Sequence, residues 1–292
     1  MKHHDKRALL VGLNHYPDPA NNLKGCVNDI LMTSQFLQKK YGFAVEDIRV
    51  LADARATTAN IRKRLEWLAA DMRAGDVVVF HYSGHGSQVR DRDGDELKDH
   101  LDEIICPYDL DWDDPITDDE LGKTFAKIPD WASVTVILDS CHSGTGLKEF
   151  GPTPRRNKFL VPPPDIFHRT GPEFGDEGVN RSVTMREVKE RFPIQALAKT
   201  LADKQRAILI AACRADQVSA DAWIDGDYHG ALTYYFWHSV QSLGWNVTYK
   251  EAVQKAAQSL KAEHYEQDPQ LEGPGSKWKL FAPLAAAAGR AA

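Results

Sequence analysis

The stretch Asp76–Gly86, which reads Asp-Val-Val-Val-Phe-His-Tyr-Ser-Gly-His-Gly, sets the fold of the chain. Its first half is almost entirely apolar, as is typical of a strand buried on both faces of a parallel sheet, and we predict a strand at Asp76–Ser83. Similar runs predict strands at Arg7–Leu13 and Ser133–Asp139. Helical patterns alternate with these strands, which indicates an α/β fold with a mostly parallel sheet flanked by helices.

The remaining elements follow from the same patterns. Apolar residues at a spacing of three to four predict helices, at Cys26–Tyr41, Thr58–Met72, Asp118–Lys127, Ile194–Leu201, Ala231–Leu243 and Thr248–His264. Short apolar runs predict strands at Asp47–Leu51, Ile104–Cys106, Arg206–Ala212 and, at the sheet edge, Trp278–Phe281. Residues 148–190 have no sustained period and are expected to form a linker loop between segments 5–147 and 191–284. We interpret residues 1–292 as one domain.

The composition excludes several classes of protein. The chain has 292 residues and a formal net charge of −6, and no stretch is dense enough in Lys and Arg to bind nucleic acid. No apolar run approaches the roughly 20 residues that span a bilayer, and the chain start has no signal-peptide core. The 4 cysteines are scattered rather than spaced as a disulfide framework. We therefore expect a cytoplasmic protein that binds neither nucleic acid nor membrane.

Residues that carry chemistry follow two of the predicted strands. One strand ends in Ser83-Gly84-His85-Gly86 and another in Asp139-Ser140-Cys141-His142-Ser143-Gly144. The carboxyl ends of neighbouring parallel strands meet at one edge, which would bring the His85 imidazole within reach of the Cys141 thiol. A thiol becomes nucleophilic beside a base, and backbone N–H groups, here those of Gly86 and Cys141, can stabilise an oxyanion. A lone histidine is most often structural, but the paired motifs point to acyl transfer by cysteine.

These two motifs resemble the catalytic motifs of the metacaspases, the caspase-like cysteine peptidases of bacteria, protists, fungi and plants. Their separation is close to the roughly 50 residues between histidine and cysteine in caspase-type signatures. The resemblance, to the bacterial type without a prodomain, implies a caspase-like α/β/α sandwich in which Cys141 is the nucleophile and His85 its general base. It also implies a monomer without an organic cofactor.

Acidic residues near the motifs predict the specificity. Asp139 lies two residues before Cys141 and so on the same side of its strand, and Asp29 lies near the start of the first predicted helix. Two carboxylates would bind a cationic side chain, so we expect peptide and protein substrates to be cut after Arg or Lys. Alternatively, Asp29 is an exposed helical carboxylate and Asp139 a structural hydrogen-bond acceptor. The residues that match the basic-residue pocket of the metacaspases are Cys26, Asp29, Ser83 and Asp139.

A dense set of acidic residues between positions 91 and 119 raises the question of calcium, which needs six to eight oxygen ligands. The stretch is not an EF-hand, because Glu96 stands where that loop needs glycine. The resemblance implies three calcium ligands, Asp102, Asp118 and Asp119. A fourth aspartate is expected where this chain has Lys148, with Glu149 as the alternative oxygen donor. The competing interpretation is a solvated acidic loop.

Caspase-like enzymes often cut themselves between a larger and a smaller segment. The basic residues that make this chain a candidate lie in or near the predicted linker: Lys148, Arg155, Arg156, Lys158 and Arg169. An exposed loop is also where any other protease would nick the chain. Self-cleavage is therefore a hypothesis at this stage.

Two rival functions stay open on the sequence alone. One is a non-catalytic caspase-like scaffold that binds partners through the same crevice, and the other is a related peptidase of different specificity. The intact pair of His85 and Cys141 favours a peptidase. The two pocket aspartates favour cleavage after Arg or Lys over cleavage after Asp.

Overall fold

A computed structural model describes residues 5–90, 101–141, 155–166, 195–202, 204, 207–214 and 217–283. Its strands are β1 (Lys6–Gly12), β2 (Ile48–Ala52), β3 (Val77–Ser83), β4 (Gly86–Arg90), β5 (Leu101–Ile105), β6 (Ile116–Thr117), β7 (Ser133–Asp139), β8 (Arg155–Asn157), β9 (Ala207–Ala211), β10 (Ala220–Ile224), β11 (Asp227–Gly230) and β12 (Gln270–Glu272). Its main helices are α1 (Cys26–Tyr41), α2 (Thr58–Ala69), α3 (Asp118–Ala126), α4 (Gln195–Ala202), α5 (Ala231–Ser242) and α6 (Tyr249–Ala262). The predicted helices and most predicted strands are confirmed to within three residues at each end.

The central sheet has 6 strands in the order β12-β9-β7-β3-β1-β2. All pairings are parallel except that of the edge strand β12 with β9. Every residue of β3 and of β7 is buried, as their apolar runs predicted. These two strands are neighbours in a register that sets Ser83 opposite Asp139. The sequence motifs that follow them therefore leave the sheet side by side.

Helices cover both faces of this sheet and complete the predicted α/β/α sandwich. One face carries α2, α3 and α4, whose apolar side chains pack with residues such as Phe80 and Val136. The other face carries α1, α5 and α6, packed around residues such as Val79 and Trp237. Trp237 also joins two of these helices, since its indole N–H donates to the Thr33 hydroxyl at 2.8 Å. No described helix is long and apolar enough to cross a membrane.

Two small antiparallel sheets flank the central one, with strand orders β11-β10-β8 and β4-β5-β6. Strand β8 lies inside the region predicted to be a loop, so that prediction is wrong for residues 155–157. Its sequence, Arg-Arg-Asn, has no apolar period that would mark it as a strand. Its backbone instead completes the edge of β10, with Asn157 opposite Ala220 and Arg155 opposite Ala222.

The predicted edge strand Trp278–Phe281 is wrong. The edge strand of the central sheet is β12, and residues 278–281 form turns with a single isolated bridge from Lys279 to Thr248. Leu280 and Phe281 are buried against the helices rather than in the sheet. The ring of Phe281 lies 5.8 Å from that of Tyr249. The apolar run thus reflects helix packing.

Candidate active site

The carboxyl ends of β3 and β7 form the centre of the site. Ser83 and Asp139 are paired in register, and His85 and Cys141 each follow two residues later. Ser83 donates a hydrogen bond from its hydroxyl to Asp29 Oδ2 at 2.6 Å, which ties the first turn of α1 to the same edge. The structure therefore brings together the predicted dyad and three of the predicted pocket residues.

His85 is held with one ring nitrogen ready to accept a proton. Its Nε2 lies 2.7 Å from the Asn21 carbonyl oxygen, and because a carbonyl can only accept, Nε2 carries the hydrogen. Its Nδ1 is buried and has no hydrogen-bond partner among the described residues. Burial lowers the pKa of His85 to about 4, although the Asn21 carbonyl acts to raise it. The ring is thus neutral near pH 7, and its Nδ1 is unprotonated.

Cys141 is completely buried at the end of β7. Its Sγ accepts a hydrogen bond from the backbone amide of Ser219 and lies 3.4 Å from the carbonyl oxygen of the same residue. His85 and Cys141 therefore share one edge without a direct hydrogen bond between them. In catalytic dyads the histidine and the cysteine are often too far apart for a hydrogen bond until a substrate binds. The arrangement here is therefore compatible with a dyad.

Two backbone amides beside the dyad converge on one carbonyl oxygen. The oxygen of Lys158 accepts from the Gly86 amide at 2.9 Å and from the Cys141 amide at 3.1 Å. These are the two N–H groups that the sequence predicted for an oxyanion site. A carbonyl held in this way is polarised toward attack, because the donors face the atom on which negative charge would develop.

The side chain of Lys158 fills the acidic pocket. Its Nζ lies 3.0 Å from Asp139 Oδ1 and 3.5 Å from Asp29 Oδ2, and it donates to the Ser83 hydroxyl at 2.9 Å. All four side chains are fully buried. Burial would lower the pKa of Lys158, but the surrounding acidic groups, Asp139 foremost, raise it well above its usual value. The lysine is therefore a cation enclosed by carboxylates.

The pocket contains the predicted residues in buried positions. Asp29 is fully buried, so the alternative of an exposed helical carboxylate is wrong. Burial would raise the pKa of Asp139, but Lys158 and hydrogen bonds from Thr233 hold it below its usual value. Cys26 is also buried at the start of α1, and burial raises the pKa of its thiol well above the usual value. Cys26 therefore lines the pocket as a neutral thiol.

Sequence reasoning missed three residues that build this pocket. Thr233 donates to Asp139 Oδ2 from its amide at 2.9 Å and from its hydroxyl at 2.7 Å, and the Ser219 hydroxyl donates to Asp139 Oδ1 at 2.8 Å. Gly230 donates its amide to Asp29 at 3.0 Å, and a Cβ there would clash with Lys158 Nζ and Asp139 Oδ2. These residue types are ordinary and lie far along the chain, so only the fold reveals them.

The chain on both sides of Lys158 is held across the cleft. Before it, β8 pairs with β10, and the Lys158 amide donates to the Ser219 carbonyl at 3.1 Å. After it, the Leu160 amide donates to the Gly86 carbonyl at 2.9 Å, and Ser87 donates to the Leu160 carbonyl at 2.7 Å. Hydrogen bonds thus hold the backbone on both sides of the bond between residues 158 and 159.

The five basic candidates for self-cleavage differ in placement. Lys158 alone among those that the structure describes enters the acidic pocket. Arg156 donates to the Asn22 carbonyl at 2.6 Å, and Arg155 stacks on Tyr265, 3.9 Å from the ring centroid. Lys148 and Arg169 lie outside the described residues.

The predicted calcium ligands do not assemble into a metal site in the described part of the chain. No group of three His, Cys, Asp or Glu side chains there is arranged to hold a metal ion. Asp118 Oδ2 accepts from the Leu197 amide at 3.3 Å, and Asp119 pairs with Lys123 at 3.2 Å. Asp102 is buried on β5, while Lys148 and Glu149 lie outside the described residues.

Comparison with known proteins places these motifs in a family. A model of the metacaspase peptidase C14 domain matches residues 6–149. Metacaspase-1 of Meyerozyma guilliermondii is 33% identical over 290 residues, which cover 91% of this chain and 68% of the relative. Metacaspase-1 of Schizosaccharomyces pombe is 31% identical, covering 91% of this chain and 66% of the relative. The chain thus spans about two thirds of the length of these relatives.

Solved structures with the same fold include protein GSU0716 from Geobacter sulfurreducens and caspase-1 from Spodoptera frugiperda. The first has a TM-score of 0.65 at 24% identity and covers 96% of this chain and 99% of its own. The second has a TM-score of 0.52 at 13% identity, with 92% and 86% covered. The likeness to caspase-1 shows that this chain has the caspase-like fold.

Proposed function

Because the chain belongs to the metacaspases, a family of caspase-like cysteine peptidases, we propose that it hydrolyses peptide bonds after Lys or Arg. One observation carries the specificity. The side chain of Lys158 lies in a pocket with Asp29 and Asp139, while its carbonyl oxygen accepts from the amides of Gly86 and Cys141. A peptide bound in the same way would present the bond after its cationic residue to the thiol.

The proposed reaction uses the two residues at the strand ends. His85 Nδ1 takes the proton of the Cys141 thiol, and Sγ attacks the carbonyl carbon of the bond to be cut. The amides of Gly86 and Cys141 stabilise the resulting oxyanion. The C–N bond then breaks as His85 returns the proton to the leaving amine, which leaves a thioester. A water that gives its proton to His85 attacks this thioester and releases the acid and the free thiol.

The specificity follows from the charge of the pocket. Two buried carboxylates face a single position, so an acidic side chain placed there would be repelled and left without a cationic partner. A lysine or arginine at that position is instead bound by charge-assisted hydrogen bonds. The depth of the pocket suits a long side chain, since Lys158 reaches both carboxylates with no exposed surface.

We extend the proposal to the chain's own linker. The bond between Lys158 and Phe159 is held in the cleft on both sides, so it is the first bond that the thiol would cut. Until that cut is made, the segment fills the acidic pocket and excludes other peptides. The enzyme is thus proposed to be inhibited by its own linker and to process itself after Lys158.

Stimulation by calcium stays a prediction. Its expected ligands are Asp102, Asp118 and Asp119. Self-processing and peptide cleavage compared in calcium and in a chelator would measure it. Equal rates in calcium and in chelator would show that calcium does not stimulate the enzyme.

The proposed function is tested with fluorogenic peptides that end in Lys, Arg or Asp, using self-processed enzyme. We expect the Lys and Arg peptides to be cut and the Asp peptide to be left intact. Cys141→Ala should abolish cleavage, whereas Cys213→Ala, which removes a thiol that contacts the Gln217 carbonyl instead, should not. Cleavage that survives Cys141→Ala, or a preference for Asp, would contradict the proposal. A folded protein that cuts none of these peptides would favour the alternative of a non-catalytic scaffold.

A further inference from the structure

The side chain of Arg155 occupies a site of its own at the end of α6. Its guanidinium carbon lies 3.9 Å from the centroid of the Tyr265 ring. Nη1 donates to the His264 carbonyl at 3.0 Å, and Nη2 donates to the Glu263 carbonyl at 3.2 Å. A planar guanidinium can stack on a ring and donate two hydrogen bonds in its own plane at once, whereas an ammonium cannot. The site therefore fits arginine better than lysine.

The charge of the surroundings also favours a cation at this position. Glu263 caps the C-terminus of α6, where the last carbonyls of a helix carry partial negative charge. Next to the site is a cavity of about 530 Å³, lined in part by Glu263, Asp225 and Tyr235. Tyr235 also packs on Tyr265, with ring centroids 5.6 Å apart. The guanidinium thus lies beside an aromatic pair and a cavity whose lining carries two carboxylates.

The strand register relates this site to the bond that would be cut. Arg155 lies opposite Ala222 in the pairing of β8 with β10, three residues before Lys158. The pairing uses the backbone, so any peptide that lies on β10 in this register would project its own fourth residue, counted back from the cut bond, toward Tyr265. A contact made by the linker is then also a contact available to a substrate.

We propose that Tyr265 and the carbonyl oxygens of Glu263 and His264 form a subsite that selects arginine at the fourth position before the cleaved bond. The inference rests on the proposed function, since it needs cleavage after Lys or Arg to be seen. It assigns the outer specificity to a stacking ring and a helix end. The inner specificity belongs to Asp29 and Asp139.

The first test varies the peptide. Self-processed wild-type enzyme is given acyl-Arg-Arg-Asn-Lys with a fluorogenic amide leaving group, and the same peptide with Ala or Lys in the first position. We expect kcat/KM to fall about tenfold with Ala, the size expected when a stacked and hydrogen-bonded cation is lost. The Lys peptide should lie between the two. Equal values for all three would overturn the subsite while leaving the proposed function intact.

The second test varies the ring. Tyr265→Ala should bring the Arg and Ala peptides to within about twofold of each other, while Tyr265→Phe keeps the ring and should keep the preference. A general attraction of cationic peptides to a chain of net charge −6 does not depend on a neutral tyrosine and would survive Tyr265→Ala. A full preference in that variant would therefore overturn the proposal. If neither the wild type nor any variant cut these peptides, the proposed function and the subsite would both be contradicted.

Discussion

Lys158 is a cation shared by two buried carboxylates, and in the proposed function this arrangement would link recognition to inhibition. Withdrawing it from the pocket would remove the cation that the buried Asp29 and Asp139 share, which is costly unless water or another cation takes its place. The segment therefore holds its position by the same interactions that would bind a substrate. A substrate with lysine or arginine has the chemistry needed to replace it.

At the residue scale, spacing along strands and helices was enough to predict most of the pocket. Asp139 lies two residues before Cys141, and Ser83 lies two before His85, so the register of β3 with β7 was the only further fact needed. Gly230 and Thr233 could not be predicted in this way. They reach the pocket from the β11–α5 junction, which no local pattern relates to the strand ends.

The buried setting of His85 makes a prediction about pH. Its pKa is lowered to about 4, so the ring is unprotonated at pH values above that. We expect the rate of self-cleavage to change little between about pH 7 and pH 5 and to fall as the pH drops through about 4, where the ring becomes protonated. The rate is measured from the appearance of fragments, with circular dichroism as a check on folding. A fall centred near the ordinary histidine pKa of about 6.5 would contradict this assignment.

At the scale of elements, strands buried on both faces were predictable because their apolar runs are long, as in β3 and β7. Strand β8 was not, because its three polar residues pair through the backbone alone. The run Trp278–Phe281 was wrongly predicted as a strand, because it is apolar but does not lie in the sheet. Leu280 and Phe281 are buried in a cluster with helix residues, and sequence period cannot distinguish that burial from burial in a sheet.

The pairing of β8 with β10 predicts a difference between two proline variants. Hydrogen-bonded positions alternate along an antiparallel strand, and the Lys158 amide donates to Ser219, so the next bonded position back is Arg156. Asn157→Pro should therefore process itself at close to the wild-type rate, whereas Arg156→Pro should be slower by about tenfold. Arg156→Ala separates the loss of the side chain from the loss of the N–H. Equal slowing by both prolines would show that the strand pairing does not position the bond.

At the scale of the whole molecule, the two segments on either side of Lys158 share one sheet. Strand β9, from the later segment, pairs along its length with β7, from the earlier one, and both strands are buried. Helices from both segments, α1 and α5 among them, pack in one apolar cluster. The alternation of strands and helices predicted the mostly parallel sheet, and the resemblance to metacaspases implied the sandwich. The course of residues 155–160 through the cleft was not predictable, since it depends on contacts between distant parts of the chain.

This shared sheet predicts that the processed enzyme stays in one piece. After a cut at Lys158, denaturing gels should separate two fragments, while gel filtration in native buffer should give one particle of the size of the intact 32.7 kDa chain. Uncut Cys141→Ala provides the reference for elution. Fragments that elute separately without denaturant would contradict the interlocked fold.

The central claim is that the chain presents the bond after Lys158 to its own thiol. The most direct measurement is the mass of the fragments formed by purified wild type, beside Cys141→Ala and Lys158→Gln prepared in the same way. We predict fragments that end at Lys158 and begin at Phe159 in the wild type, and none at this bond in either variant. Cleavage at Lys148, Arg155, Arg156 or Arg169 in place of Lys158, or a cut after Lys158 that persists in Cys141→Ala, would contradict the account.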